Sequence, residues 1–268
     1  MSLEEEIVGL VPAAGLATRL SPLPCSKELV PIGYREGDDG KLCPKVVSHF
    51  LLDKYKAAGV RKVYFILRKG KWDIPQYYGD GSMVDMDLGY LMMNLPHGHP
   101  FTIDQAFQFT RRNPVVFGYP DILFEPNNAF ARLIEKQHET NSAVVLGIFP
   151  IKPGQRWGDI LRFSADGRME TISLANPTAA DPLWGWAIAY WTPEFSVFMH
   201  EFLRDAVNQD KLRAADGKEY TMNHIFQAAL DAGMAMDHVL FESGSVLDVG
   251  TPSDLLAAQR AAIESIKS

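Results

Sequence analysis

The chain has little cysteine and no excess of positive charge. Its 268 residues include two cysteines, Cys25 and Cys43, which are not in a C-x-x-C spacing. We therefore expect neither a disulfide framework nor a structural zinc site, and we expect both thiols to be free. The net charge of -7 argues against a surface for nucleic acid or anionic membrane, because such surfaces need a positive excess to displace counterions.

Long apolar runs are also missing. The longest, such as residues 143–149, fall far short of the roughly 20 residues that span a bilayer. The chain opens with Glu4, Glu5 and Glu6 instead of a basic and apolar leader, so we expect a cytoplasmic protein that binds no membrane. Hydrophobic residues make up 47% of the chain, enough for the core of a single large α/β domain.

Strand and helix patterns alternate through the first half. The pattern predicts strands at 7–11, 62–67, 88–92 and 115–118, and helices at 46–58, at 74–78 and from Thr102. This βαβ order predicts a mainly parallel sheet with helices on both faces. The second half predicts a mixed extension of the sheet, with strands at 143–149, 159–163, 169–173, 184–191, 236–242 and 246–248, and helices at 127–138, 193–207, 221–232 and 252–267.

Small residues follow the first predicted strand. Ala13, Ala14 and Gly15 would let backbone N–H groups approach a polyphosphate closely, while Arg19 offers a planar fork of donors and Lys27 a compact charge. The loop matches neither G-x-G-x-x-G nor G-x-x-x-x-G-K-[ST]. Taken alone, it is better explained as a tight strand-to-helix turn with Arg19 and Lys27 in solvent.

Two aspartates end apolar segments that lie far apart in the chain. Asp121 follows the apolar residues 115–119, and Asp248 stands in V-L-D-V-G-T-P at 246–252. Ligands of open α/β sheets bind outside the carboxyl ends of strands, and Mg²⁺ prefers carboxylate and phosphate oxygens. Each aspartate alone is better explained as a turn residue or a helix cap.

These motifs resemble those of the sugar-phosphate nucleotidyltransferases. Residues 11–20 (V-P-A-A-G-L-A-T-R-L) and 26–31 (S-K-E-L-V-P) are similar to the family's G-G-x-G-T-R-L and P-K-x-[LM]-[LV]-P, with Ser26 at the place of the proline. Residues 246–252 are similar to its W-x-D-V-G-T-P. The branch resembled most is that of the UTP-glucose-1-phosphate uridylyltransferases, with the glucose-1-phosphate thymidylyltransferases beside it.

The resemblance implies a single-domain, three-layer α/β/α fold with a mixed, mostly parallel central sheet. A nucleotide-binding part would span about 7–125, an acceptor-binding part about 126–250, and a final helix about 252–267. The implied reaction is transfer from a nucleoside triphosphate, UTP or dTTP, to a sugar-1-phosphate. Asp121 and Asp248 would hold Mg²⁺, Arg19 and Lys27 would be catalytic, and Ala13, Ala14 and Gly15 would contact the nucleotide.

The base-reading region departs from the family. Its usual glutamine has no direct counterpart in residues 93–100, where Asn94 is the candidate substitute. Gln105 stands near the family's base-reading loop, but Thr102 and Gln105 also have the spacing of a helix capping box. Both interpretations stay open for Gln105.

The acceptor region departs further. Gly158 and Gly185 match glycines near the sugar phosphate, but the family's E-K-P is replaced by Ala175, Asn176 and Pro177. The missing lysine removes a charge-assisted bond worth about 1.5 to 3 kcal/mol. Asn176 would take part in binding the acceptor, and the candidates to replace the lysine are Arg156, Arg162 and Arg168.

Three alternatives stay open. The acceptor could be a phosphorylated compound other than a hexose-1-phosphate. The chain could be a nucleotide-binding homologue without catalysis, or a nucleotide-sugar-dependent glycosyltransferase whose D-x-D motif is Asp85-Met86-Asp87. The sequence leaves the oligomeric state open, with a homo-oligomer among the alternatives.

Overall fold

A computed structural model describes residues 6–37, 40–93, 97–151, 160–163, 169–173, 183–214 and 217–267. The strands are β1 Val8–Ala13, β2 Pro31–Glu36, β3 Leu42–Val46, β4 Lys62–Leu67, β5 Asp87–Met92, β6 Val115–Gly118, β7 Ile122–Glu125, β8 Val144–Ile151, β9 Ile160–Phe163, β10 Met169–Ser173, β11 Leu183–Trp191, β12 Met236–Leu240 and β13 Ser245–Asp248. The helices are α1 Val47–Ala57, α2 Asp73–Tyr78, α3 His99–Asp104, α4 Phe107–Thr110, α5 Ala129–Thr140, α6 Pro193–Asn208, α7 Met222–Asp231 and α8 Pro252–Lys267.

A seven-stranded sheet in the order β12-β8-β11-β6-β1-β4-β5 forms the middle layer. Strands β6, β1, β4 and β5 are parallel neighbours, and β12 is parallel to β8. Strand β11 runs antiparallel to both β6 and β8. The predicted mixed, mostly parallel sheet is confirmed.

Alternate side chains of the sheet enter two separate cores. Val11 and Phe65 belong to a cluster with Tyr55 of α1 and Phe130 of α5. Their strand neighbours Leu10 and Ile66 enter a second cluster, with Phe101 of α3, Phe195 of α6 and Phe226 of α7. Because both faces of the sheet are buried, the sequences of its inner strands are continuous apolar runs. Helices cover the two faces, so the chain has three layers.

The structure departs from the predicted secondary structure at the start of α3 and at the pair β2 and β3. The helix predicted to start at Thr102 begins at His99, where Pro100 suits the first turn of a helix. Thr102 therefore lies inside α3, with its hydroxyl near Met93 Sδ at 2.9 Å, and it forms no capping box with Gln105. The antiparallel pair β2 and β3 was not predicted; α8 packs against it through Ala258, which joins Ile32 and Val47 in a small buried cluster.

The sheet order brings three loops to one edge. Strands β6, β1 and β4 are adjacent and parallel, so the residues that follow each of them lie side by side: 119–121 after β6, 14–26 after β1 and 68–72 after β4. This edge is where open α/β sheets bind their ligands.

The cysteines and the helices agree with the expectations from composition. Cys25 and Cys43 are both free thiols, as expected. Across the described ranges, the helices are too short or too polar to cross a membrane.

Candidate functional site

The loop after β1 is a tight turn at the sheet edge. Ala13, predicted as a loop residue, is the buried last residue of β1, and the loop begins with Ala14 and the exposed Gly15. Ala17 has a left-handed backbone, with φ of 53°, a conformation that glycine adopts at lower cost. The Ala17 carbonyl accepts hydrogen bonds from the backbone N–H groups of Leu20 and Ser21, both at 3.0 Å, which stabilise the turn.

Lys27 connects this loop with the predicted metal ligands. It opens a short 3-10 turn, Lys27–Leu29, and its ammonium group forms an ion pair with Asp121 Oδ2. A Cβ atom placed on Gly15 would lie 3.7 Å from Lys27 Nζ. The ammonium therefore lies between the loop after β1 and the carboxylate after β6.

The environment of Lys27 keeps it charged. Burial by itself lowers the pKa of Lys27, but the charge of Asp121 and its hydrogen bond outweigh burial and raise the pKa above the ordinary lysine value. Glu28 and Asp248 act in the same direction. Lys27 is thus a fixed positive charge at neutral pH.

A two-stranded ribbon brings Asp248 to Asp121. Strands β7 and β13 pair antiparallel, with Asp248 opposite Ile122. The ribbon continues one residue further, because the Val249 N–H donates to the Asp121 carbonyl at 2.8 Å. Asp121 therefore stands one position before the residue opposite Asp248, although 127 positions separate the two aspartates in the sequence.

Asp248 interacts with three charged groups of the site. Its Oδ2 lies 3.5 Å from Arg19 Nη2. Burial raises the pKa of Asp248 above the ordinary value and the charge of Asp121 raises it further, while Arg19 and Lys27 partly oppose the shift. Two carboxylates thus repel each other in a site where two cations already offset part of their charge.

This arrangement has the chemistry of a site for Mg²⁺ and a phosphate chain. Mutual repulsion of Asp121 and Asp248 is relieved by a divalent cation, and carboxylate oxygens are the ligands that Mg²⁺ prefers. Within the described ranges, no group of three or more His, Cys, Asp or Glu side chains comes together as a metal site. A cation held by two aspartates takes its remaining ligands from water and substrate phosphates, which is the usual coordination of Mg²⁺.

Sequence comparisons find no match, whereas comparison with solved structures finds proteins of similar fold. No family model matches the chain, and no curated protein matches its sequence. A protein from Bacillus anthracis, assigned as a glucose-1-phosphate thymidylyltransferase and solved with sucrose, superposes with a TM-score of 0.74 at 16% identity, covering 96% of this chain and 95% of that one. A UDP-glucose pyrophosphorylase solved with UDP-glucose gives a TM-score of 0.76 at 13% identity, covering 96% and 98%.

The chain shares the fold of these two solved proteins. HddC from Yersinia pseudotuberculosis, solved with GMP-PN, is similar as well, with a TM-score of 0.66, 15% identity and coverage of 95% and 98%. At these identities the likeness concerns the fold, and it confirms the architecture implied by the sequence motifs.

The other predicted site residues are placed differently. Gly185 lies at the start of β11, and because β11 runs against β6, it stands at the same sheet edge as Asp121. Gln105 follows the last turn of α3, and its side-chain amide donates to the Phe101 carbonyl at 3.3 Å. Its role in base binding stays a prediction. Asn94, Gly158 and Asn176 lie outside the described residues.

Several residues that support the site were not predicted as site residues. Ser26 and Glu28, on either side of Lys27, bond to Asp73 and Lys71 in the segment after β4. Gly250 lies directly under the Arg19–Asp248 pair. Glu28 and Gly250 belong to the motifs at residues 26–31 and 246–252, so the motifs could have identified them as site residues. No local sequence pattern predicts the contacts of Asp73 and Lys71.

We expect Gly250→Ala to displace Arg19 from Asp248. A Cβ atom at position 250 would lie 2.5 Å from Arg19 Nη2 and 3.0 Å from Asp248 Oδ2. The Arg19 side chain is 53% exposed, so it can move into solvent, and the free energy of unfolding should change by less than about 1 kcal/mol. Losing one charge-assisted contact to phosphate should weaken triphosphate binding about tenfold. Calorimetric titration with UTP and dTTP, and urea denaturation, measure the two effects.

A double-mutant cycle with Arg19→Ala provides the control. If Gly250→Ala acts through Arg19, it should weaken triphosphate binding little further when Arg19 is already alanine. Full additivity of the two losses would contradict this explanation.

Proposed function

We propose that this chain is an enzyme that transfers a nucleotidyl group from a nucleoside triphosphate to a sugar-1-phosphate and releases pyrophosphate. The observation that carries the proposal is the convergence of Asp121, Asp248, Lys27 and Arg19 at one edge of a sheet with this fold. The proposed biological role is nucleotide-sugar biosynthesis in the cytoplasm, within one domain divided into a nucleotide-binding and an acceptor-binding part.

The reaction needs alignment and charge neutralisation. An acceptor phosphate oxygen attacks the α-phosphorus of the triphosphate, a new P–O bond forms, and the bond to the pyrophosphate group breaks. Lys27 contacts the phosphoryl oxygens on which charge develops, while Arg19 stabilises the departing pyrophosphate. Backbone N–H groups at Ala14 and Gly15 would position the phosphates. No covalent intermediate with the protein is required.

Mg²⁺ is the proposed cofactor, held by Asp121 and Asp248. A cation at this position would neutralise charge on the α-phosphate. Burial raises the pKa of Asp248 and the negative charge of Asp121 raises it further; a cation between the two carboxylates would relieve this repulsion, which supports the assignment. So does the shape of the ribbon, which brings together carboxylates from two separate segments.

UTP and dTTP are the proposed nucleotides, and the resemblance of residues 11–20 and 246–252 supports them. Two structural neighbours are consistent with UTP and dTTP: one was solved with UDP-glucose, and the other is assigned as a thymidylyltransferase. The identity of the acceptor is less well defined, because Ala175, Asn176 and Pro177 replace the family's E-K-P. This departure favours an acceptor other than a common hexose-1-phosphate as the second candidate.

The glycosyltransferase alternative has little support from the structure. A metal-binding D-x-D motif should end a strand at the ligand edge, but Asp87 begins β5 at the opposite edge. Asp85 is exposed and pairs with Arg61 at 2.7 Å and with Lys56 at 3.1 Å. These contacts are those of a surface ion-pair cluster.

A matrix of triphosphates against phosphorylated acceptors tests the proposal. With Mg²⁺ present, we expect pyrophosphate release from UTP or dTTP with one class of acceptor, at a turnover of about 1 to 1000 per second. Omitting Mg²⁺ or the acceptor is the control. Release of a nucleoside diphosphate from a nucleotide sugar would favour the glycosyltransferase. Saturable nucleotide binding without turnover on any acceptor would favour a non-catalytic homologue.

A further inference from the structure

A cationic cavity of about 440 Å³ lies beside the loop after β1. One wall is formed by residues 15–17 of that loop and by the segment that leads to Lys27. The opposite wall is the turn Arg68-Lys69-Gly70-Lys71 and Asp73, which follow β4. The cavity lining therefore contains four cationic side chains, counting Lys27, and one carboxylate.

Two polar contacts attach the turn after β4 to the segment that carries Lys27. Asp73 accepts hydrogen bonds from the backbone N–H and the hydroxyl of Ser26, both at 2.6 Å. Lys71 donates to Glu28 Oε2 at 2.5 Å, and the Glu28 side chain is fully buried. The residues before and after Lys27 are thus each bound to the same turn, which fixes the second wall of the cavity next to Lys27.

The same contacts divide the cavity's charges into paired and available ones. Asp73 and Lys71 are engaged with the Lys27 segment, and Lys27 is paired with Asp121. Among the residues that the structure describes, no side-chain hydrogen bond or ion pair involves Arg68 or Lys69. Gly70, with φ of 96°, closes the turn, and the Lys71 N–H donates to the Arg68 carbonyl at 3.2 Å. Two unpaired cations are therefore presented by a fixed turn.

We propose that Arg68 and Lys69 form a subsite for the terminal phosphates of the nucleoside triphosphate, and hence for pyrophosphate. The assignment rests on the proposed function, in which Lys27 holds the phosphate chain near the α-phosphorus. Gly15 and Lys27 both line this cavity, so a phosphate chain that starts between them reaches the turn after β4. Arg19 faces Asp248 and lies outside this cavity, so it would contact the pyrophosphate group at the end nearest the α-phosphorus, and Arg68 and Lys69 would contact the far end.

The subsite has a consequence for specificity. Arginine binds phosphate oxygens with a planar fork of donors, and lysine adds a compact charge. A monophosphate or a nucleotide sugar leaves this part of the cavity without a ligand phosphate. The subsite therefore favours triphosphates and pyrophosphate over ligands that lack terminal phosphates.

The test uses the double variant Arg68→Ala/Lys69→Ala and isothermal titration with inorganic pyrophosphate and Mg²⁺. We expect binding of pyrophosphate and of UTP to weaken by a factor of about 10 to 100, since each lost charge-assisted contact corresponds to roughly tenfold. Binding of UMP should stay unchanged. The matched control is Arg111→Ala/Arg112→Ala, which removes two exposed arginines just before β6, at the opposite edge of the sheet.

The outcomes separate this inference from the proposed function. Wild-type turnover together with unchanged pyrophosphate binding in Arg68→Ala/Lys69→Ala would overturn the subsite and leave the function standing. A selective loss of pyrophosphate binding in Arg68→Ala/Lys69→Ala, combined with a wild type that shows no turnover on any acceptor, would support the subsite and overturn the function. Equal losses in the Arg111→Ala/Arg112→Ala control would also overturn the subsite. The charge-conserving Arg68→Lys/Lys69→Arg variant should keep most of the affinity, which distinguishes lost charge from misfolding.

Discussion

Asp248→Asn is expected to reduce Mg²⁺-dependent pyrophosphate release by a factor of about 100 or more, the usual effect of losing a group that stabilises charge in the transition state. The substitution keeps the size of the side chain and removes its charge. It takes away one of two proposed metal ligands and the partner of Arg19, 3.5 Å away. The rate of pyrophosphate release at saturating substrates measures the effect.

This prediction has two controls: the stability of Asp248→Asn, and the activity of a variant at a surface aspartate. The Asp248 side chain is 33% exposed and its charge is repelled by Asp121, so the amide should not destabilise the fold. Asp205→Asn, at an exposed position on α6, should leave the rate unchanged. Undiminished turnover in Asp248→Asn would refute the assignment of the site.

Lys27→Ala should lower the turnover number by a factor of about 100 to 1000, comparable to the loss of a preorganised donor in other active sites. Lys27 bonds to Asp121, lies beside Gly15 and is the cation between the loop after β1 and the carboxylate pair. Lys56→Ala, which removes an exposed lysine paired with Asp85, is the matched control and should retain full activity.

Binding of Mg²⁺ gives a second measurement on the same variant. Lys27 and Arg19 both offset the repulsion between Asp121 and Asp248. In Lys27→Ala one of these two cations is missing, so the repulsion is stronger. Mg²⁺ should therefore raise the melting temperature of Lys27→Ala more than that of the wild type. The shift should be much smaller in Asp248→Asn. Equal shifts in all three proteins would mean that the ion binds elsewhere.

The inner strands could be predicted because apolar neighbours cover them on both faces. Strand β4 and strand β6 have the predicted boundaries, since both faces of each are buried and the chain reads as a continuous apolar run. The pair β2 and β3 was missed because much of it is exposed. Its sequence therefore carries a weak apolar pattern, and it contains prolines at positions 31 and 44.

The start of α3 shows how a local pattern can mislead. Thr102 and Gln105 have capping-box spacing, yet the helix starts three residues earlier. Pro100 has a backbone suited to a first helical turn, and Phe101 and Ile103 are buried in the core. Burial of these side chains decides the start of the helix, and propensity at Thr102 has little influence beside it.

By itself the sequence determined the order of the inner strands and of the longer helices, the buried faces and the residue types available at the sheet edge. Only the tertiary structure decided which of those residues meet. The register of β7 with β13 makes Asp121 and Asp248 neighbours, and the adjacency of β1 and β4 brings Arg68 and Lys69 to the cavity beside Lys27. The physical reason is that apolar periodicity is a local property of the chain. Contacts between distant segments depend on how the whole sheet pairs and closes its core.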